Sequence, residues 1–388
     1  NIGSFAATNT GSAPVTATIT VTPVYTNAGV TCTGTSITFT ITVNPTPTVN
    51  VVSNQTVCNG SSTAAVNFTG AIIGTVYNWT NSTPSIGLAA SGTGNIGSFT
   101  ATNATAAPVT ATITVTPSYT NGAVTCTGTP TTFTITVNPV PTVNTVTNQV
   151  VCNAASTTAV NFTGATAGTV YSWTNSNPSI GLAASGTGNI ASFAAVNAGT
   201  NPVTATITVT PSYNNAGTTC TGASTTFTIT VNPTATVNAV ASQVLCNGSS
   251  TAAINFGSPA TGGTVTFNWT NSAASIGIAA SGTGNIPTFI ASNATTTPVV
   301  ATITVPPIFT NGAVSCVGTP TTFTITVNPT ATVNAIPNQV LCNGASTTAI
   351  VFTSPNSGNG GSNVVFNWVN NTPSIGLAAS GTGNIGSF

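Results

Sequence analysis

None of the 388 residues is Asp, Glu, Lys, Arg or His, so the chain carries no side-chain charge at neutral pH. General acid–base catalysis at that pH draws on His, carboxylates and Lys. Metal sites draw on His, carboxylates and thiolates. The composition therefore argues against an enzyme and against any cofactor or metal. Nucleic-acid binding needs Lys or Arg to neutralise phosphates, and a membrane surface is met with a basic face. Neither partner fits. No run of about 18 apolar residues occurs, so nothing inserts into a membrane as a spanning helix. Residue 1 falls inside repeat sequence without a signal-peptide pattern, which reads as a piece of something longer.

What is present is enough to fold. Hydrophobic residues make up 40% of the chain and include 16 Phe and 4 Trp, ample for buried cores despite the abundance of Thr, Asn, Ser and Gly. A typical soluble domain is about one quarter charged. Without that charge, only shape and hydrogen bonding oppose side-by-side association, so self-association is the default expectation.

The chain repeats. NIGSF at Asn1–Phe5 recurs at Asn95–Phe99, as NIASF at Asn189–Phe193, as NIPTF at Asn285–Phe289, and again as NIGSF at Asn384–Phe388, with periods of 94, 94, 96 and 99. The growth falls in one loop between a Phe and a Trp, from Phe68–Trp79 to Phe352–Trp368. A unit near 95 residues is long for a solenoid and suits a small domain. TFTITVNP at Thr38–Pro45, Thr132–Pro139, Thr226–Pro233 and Thr322–Pro329 ends each unit, because Pro cannot continue a ladder and favours an extended, stiff linker. Residues 1–45 thus read as the C-terminal part of a unit, 46–139, 140–233 and 234–329 as whole units, and 330–388 as the N-terminal part of another.

Period-two alternation runs through each unit. In PVTATITV, Val15, Ala17, Ile19 and Val21 oppose Thr16, Thr18 and Thr20, as expected of half-buried strands with a Thr outer face. About seven such segments per unit, separated by turn signals, predict an all-β chain of tandem immunoglobulin-like β-sandwiches. Each unit has one Trp in an aromatic-x-Trp strand: Trp79, Trp173, Trp269 and Trp368. Alternation places them in the core, in preference to an exposed sugar-stacking platform.

The eight cysteines fall two to a unit, which implies disulfides and an oxidising, extracellular or cell-surface location. Pairing within units joins Cys58 to Cys126, Cys152 to Cys220 and Cys246 to Cys316; pairing across linkers spans 26 residues each time. Loop entropy separates the two schemes by only about 1 kcal/mol. About a dozen strand residues after Cys126 carry the chain away from it, and bridged α-carbons lie within about 7 Å, so the within-unit scheme is favoured. Cys32 and Cys342 are left as candidates for a bond to a next repeat or another subunit. Overlaying Asn384–Phe388 on Asn1–Phe5 makes the chain one period of a super-repeat, in which Cys342 and Cys32 fall 73 residues apart, like the other within-unit pairs.

Other signals are weak. Sequons such as Asn59–Ser61 arise by chance in a chain rich in Asn and Thr, and SGTGN at Ser91–Asn95 reads as a turn rather than a phosphate loop. The unit built from NQTVCNGSS, TVYNWTN, ATITVTPSY, AVTCTGTP and TFTITVNP resembles the PKD-like repeat domains found in tandem in large surface and gliding-associated adhesins of Bacteroidota. The resemblance implies an immunoglobulin-like sandwich, export, and a role as stalk, adhesin or filament. The chain departs from that family in lacking Asp after the Trp strand. Two functions follow: a structural extracellular fibre or stalk, self-associating or continued in a longer chain, and a binding module that lays Thr arrays or aromatics on ice or a polysaccharide. A ligand site would diversify one loop or face, and the near identity of the units favours the structural reading.

Overall fold

The computed structural model describes residues 1–356 and 364–388. The longest version of the variable loop, between Phe352 and Trp368, lies partly outside the described residues. The chain is a series of β-sandwich units built almost wholly of strands. Residues 1–45 form β1 (Val15–Val21) paired antiparallel with β4 (Ile37–Val43), and a hairpin of β2 (Val24–Asn27) and β3 (Val30–Thr33).

The next unit contains β5 (Gln55–Cys58), β6 (Val76–Asn81), β7 (Ser91–Thr93), β8 (Val109–Asn121), β9 (Val124–Thr127) and β10 (Thr131–Asn138). They form one sheet in the order β5-β10-β8-β6-β7, with β9 paired to the far end of β8. All pairs are antiparallel except β5 with β10. The sheet spanning Gln149–Cys152 to Thr225–Asn232 repeats this order. In the following unit the long strand is split into Val299–Val305 and Pro307–Asn311, where Pro306 stands in the position of Thr116.

The alternation of β8 is carried out in space. Ala111, Ile113 and Val115 are buried against Phe133, Ile135 and Val137 of β10, while the Thr residues between them face outward. The outward hydroxyls bond across strands, Thr110 to Thr136 at 3.0 Å and Thr204 to Thr230 at 2.8 Å. β-branched hydroxyl side chains thus cover the sheet without charge.

The opposite layer is held differently from the expectation of continuous strands. TAAVNFTG and IGSFTATN meet through isolated bridges, Ser62 with Thr100 and Val66 with Ile96, and through the Thr63 N–H donating to the Phe99 carbonyl at 2.9 Å, with no continuous ladder. Side-chain amides take the place of a ladder. Gln55 accepts from the Ala64 N–H at 2.9 Å and donates to the Ala64 carbonyl at 3.1 Å, and Asn95 Oδ1 accepts from the Phe68 N–H. An amide offers a donor and an acceptor in strand-like geometry, so a backbone partner is not needed.

Trp79, Trp173 and Trp269 lie in the cores, each 7% exposed. A glycine of the neighbouring strand faces each indole: Gly92, Gly186 and Gly282 sit where a Cβ would overlap the ring. Phe68 packs between Tyr77 and Phe133, with ring centroids 5.7 and 6.4 Å away. Trp368, in the last 59 residues, is only half-buried.

Candidate functional site

The residues that distinguish this chain meet at the junctions between units. β10 ends at Asn138 because Pro139 has no N–H to continue the ladder. Asn138 is fully buried, and its Oδ1 accepts from Asn215 Nδ2 at 2.8 Å, at the hairpin tip of the next unit. The same bond joins Asn121 to Asn44 at 2.8 Å and Asn311 to Asn232 at 2.9 Å. Three junctions therefore share one geometry, in which the hairpin of each unit reaches back to the end of the unit before it.

The linkers are gripped rather than free. Pro45, Pro47, Pro139, Pro141 and Pro233 are buried. Gly128, Gly222 and Gly318 approach the carbonyls of Pro47, Pro141 and Ala235 so closely that a Cβ could not be accommodated. Ala235, Phe309 and Cys316 are buried together, with Val265 and Val314 of the same unit, and Cys152 from the preceding unit, packed against them. Stiffness comes from this packing as well as from proline.

The cysteines correct the within-unit pairing. Cys58 is bonded to Cys220, with α-carbons 5.6 Å apart, and Cys152 is bonded to Cys316, also at 5.6 Å. Each bond joins the first cysteine of one unit to the second cysteine of the next. The pairs Cys58–Cys126, Cys152–Cys220 and Cys246–Cys316 do not form. The reason is register. Cys58 lies opposite Asn138 at one end of the sheet, beside Val137, which pairs with Val109. Cys126 lies opposite Tyr119, ten residues further along β8, roughly 33 Å away at about 3.3 Å per residue. The strand that carries the chain away from Cys126 separates it from Cys58 just as fully. Thr218, beside Cys220, donates to the Thr56 carbonyl at 3.2 Å and supports the bonded geometry.

Four cysteines are not bonded among the described residues: Cys32, Cys126, Cys246 and Cys342. No group of three metal-ligating side chains occurs among the described residues, and no helix there is long and apolar enough to cross a membrane.

The two ends of the chain expose faces that the whole units bury. Phe39 is 42% exposed where its counterpart Phe133 is 3%, and Ile375 is 60% exposed where Ile86 is fully buried. A groove of about 650 Å³ opens in the C-terminal segment, lined both by apolar residues such as Ile350, Ile375 and Phe388 and by polar ones such as Asn338, Asn343 and Thr347. Ile350, Ile375, Leu377 and Phe388 correspond to Val66, Ile86, Leu88 and Phe99, which pack against β8 and β10 in the whole unit. Residues 330–388 contain no counterpart of those two strands. β1 and β4 share the register of those two strands.

No family model matches the sequence, and no curated protein matches it. Among solved structures the chain is similar to mouse cadherin-23 EC22-24, at 10% identity and a TM-score of 0.36 over 73% of this chain and 98% of that one. It is similar to mouse protocadherin-24 EC1-3 at 11% identity and a TM-score of 0.33 over 74% and 100%, and to the human desmocollin-1 ectodomain at 12% and 0.28 over 87% and 73%.

Proposed function

We propose that this protein is a non-enzymatic structural element of the extracellular space, a fibre or stalk of tandem β-sandwich units that self-associates or is continued in a longer chain. Residues 46–139, 140–233 and 234–329 are its whole units. The observation that carries this reading is the repeated junction: the hairpin of each unit reaches back to the buried Asn that ends the unit before it, and two disulfides join successive units.

The Thr-covered outer faces carry no charge to oppose side-by-side association. Disulfides that tie each unit to the next fit an oxidising location and a rod that resists bending. The PKD-like resemblance points the same way. The aromatic-x-Trp pairs that a sugar-binding platform would need are turned into the cores, which weighs against the binding-module reading.

The test is electron microscopy of the chain before and after reduction of its disulfides. Units in line as a stiff rod that loosens on reduction are the expected result. Units splayed on flexible linkers before reduction would overturn the proposal.

A further inference from the structure

The two disulfides overlap along the chain: Cys152 lies within the loop that Cys58 and Cys220 close, and Cys220 lies within the loop that Cys152 and Cys316 close. One joint therefore gathers Cys58 with Cys220, the next gathers Cys152 with Cys316, and three backbone segments run between the same two joints. They are residues 58–152, 152–220 and 220–316, which span 94, 68 and 96 residues. Each contains most of one whole unit. Units that follow one another in sequence are thus linked in parallel between the joints.

We propose that the protein bears tension along its length and that the overlapping disulfides make three units share the load, so that the two joints separate only when all three open together. This deepens the stalk reading above, on which it rests for the source of the load. The device lies wholly within residues 58–316 and is indifferent to what the chain joins beyond them.

In the middle unit the three routes lie side by side. Its sheet places Gln149–Cys152 next to Thr225–Asn232, and that strand next to Val203–Asn215, which belong to the first, third and second segments. The loaded cysteines sit at opposite ends of this sheet. Cys220 lies opposite Tyr213, near the hairpin tip whose Asn215 donates to Asn138 of the unit before. Cys152 lies opposite Asn232, which accepts from Asn311 of the unit after. Tension enters at one end and leaves at the other, so it runs along the strands. Force in that direction loads every bond of a ladder together, whereas force across a ladder opens its bonds one at a time. Ala205 and Ile207 pair with Ile229 and Phe227, and all four are buried, so a slip of one residue would also turn core side chains to solvent.

The shortest segment sets the reach. With both disulfides in place the joints can part no further than the 68 residues from Cys152 to Cys220 allow, about 230 Å at roughly 3.4 Å per residue. Without Cys58–Cys220, the loop closed by Cys152–Cys316 still bypasses two units, and only the 94 residues from Cys58 to Cys152 are drawn out. Without Cys152–Cys316, only the 96 residues from Cys220 to Cys316 are. With neither bond all 258 residues from Cys58 to Cys316 are released, about 880 Å. Each disulfide thus backs up the other in length, while both are needed for the units to share the load.

The experiment is single-molecule force extension of the full chain, held by peptide tags at its two ends, with Cys58→Ser, Cys316→Ser and the double variant measured beside it. The oxidised chain is expected to be the shortest at full stretch and to open its whole units in one step, at a higher force than either single variant needs. Cys58→Ser and Cys316→Ser should each lengthen the stretched chain by roughly 90 Å, and the double variant should lengthen it by about 650 Å. Reducing the unsubstituted chain with dithiothreitol should give the same long extension, which keeps the test open if a variant fails to fold. Single-variant gains that add up to the gain of the double variant would overturn the inference, as would an oxidised chain whose whole units open one by one at the force of the single variants. Either result from chains that are straight rods in micrographs would leave the stalk reading standing. Units splayed on flexible linkers would overturn that reading itself.

Discussion

Residues 1–45 and residues 107–139 have nearly the same sequence over their strands, yet one is an open pair of ribbons and the other is the centre of a core. β1 pairs with β4 in the register of β8 with β10, so that Ile19 faces Phe39 as Ile113 faces Phe133. Asn9 caps β4 as Asn103 caps β10, donating to the Val43 carbonyl at 2.8 Å as Asn103 does to Val137. What differs is the opposite layer. Backbone pairing and amide capping are therefore local properties of this sequence, whereas burial requires the other half of the sandwich. Ile96, in that layer, is 3% exposed, while Ile2 is 64% exposed.

A charge placed at the same position in the two settings separates them most strongly. Ile86→Asp puts an unpaired carboxylate in a closed core, at a cost of several kcal/mol, and should unfold its unit. Ile375→Asp sits at an open face in the isolated chain. It should leave the chain folded by circular dichroism, with a melting curve close to that of the unsubstituted chain. A loss as large as that of Ile86→Asp would mean that this face is closed by the rest of the chain.

Truncation gives a graded version of the same contrast. Phe133→Ala should destabilise its unit by about 3–5 kcal/mol, read from urea unfolding, since a large buried ring leaves a cavity. Phe39→Ala should be nearly silent in the same measurement, because its ring is already 42% exposed. Equal losses in the two monomers would mean that the first 45 residues are already packed on something.

How much of this was legible in the residues differs by level. Alternation in TFTITV was enough to place Phe133, Ile135 and Val137 on one buried face, because a strand has only two faces and Thr occupies the other. The second layer was not legible as bridges, since a propensity pattern does not reveal that Gln55 and Asn95 side chains replace backbone partners. The disulfides were misread for a related reason. Spacing along the chain says how long a loop is, but only the register of Cys58 against Asn138 and of Cys126 against Tyr119 says that they lie at opposite ends. The repeat held the missing hint: a second cysteine at the near end of every unit lies beside the far end of the unit before it, once the Asn-Pro junction is known to be packed.

The smallest effect should be that of acid, and it should be equally small in open and closed units. Linkage makes stability depend on pH only where folded and unfolded chains bind different numbers of protons. With no carboxylate, His or Lys side chain, nothing on the side chains titrates between about pH 3 and 7. The melting temperature should stay level across that range. The alkaline side differs. Burial pushes the Tyr77 phenol above its ordinary value of 10.0, because the low-dielectric surroundings disfavour phenolate. A folded-state value raised above the unfolded one means that its contribution is fully present below the unfolded value and is lost as pH rises through the folded one. Destabilisation should therefore begin only above about pH 10, and Tyr77→Phe should blunt it in the unit that contains β6. A melting temperature that fell on acidification from pH 7 to pH 3 would show that some group outside this account takes up a proton on unfolding.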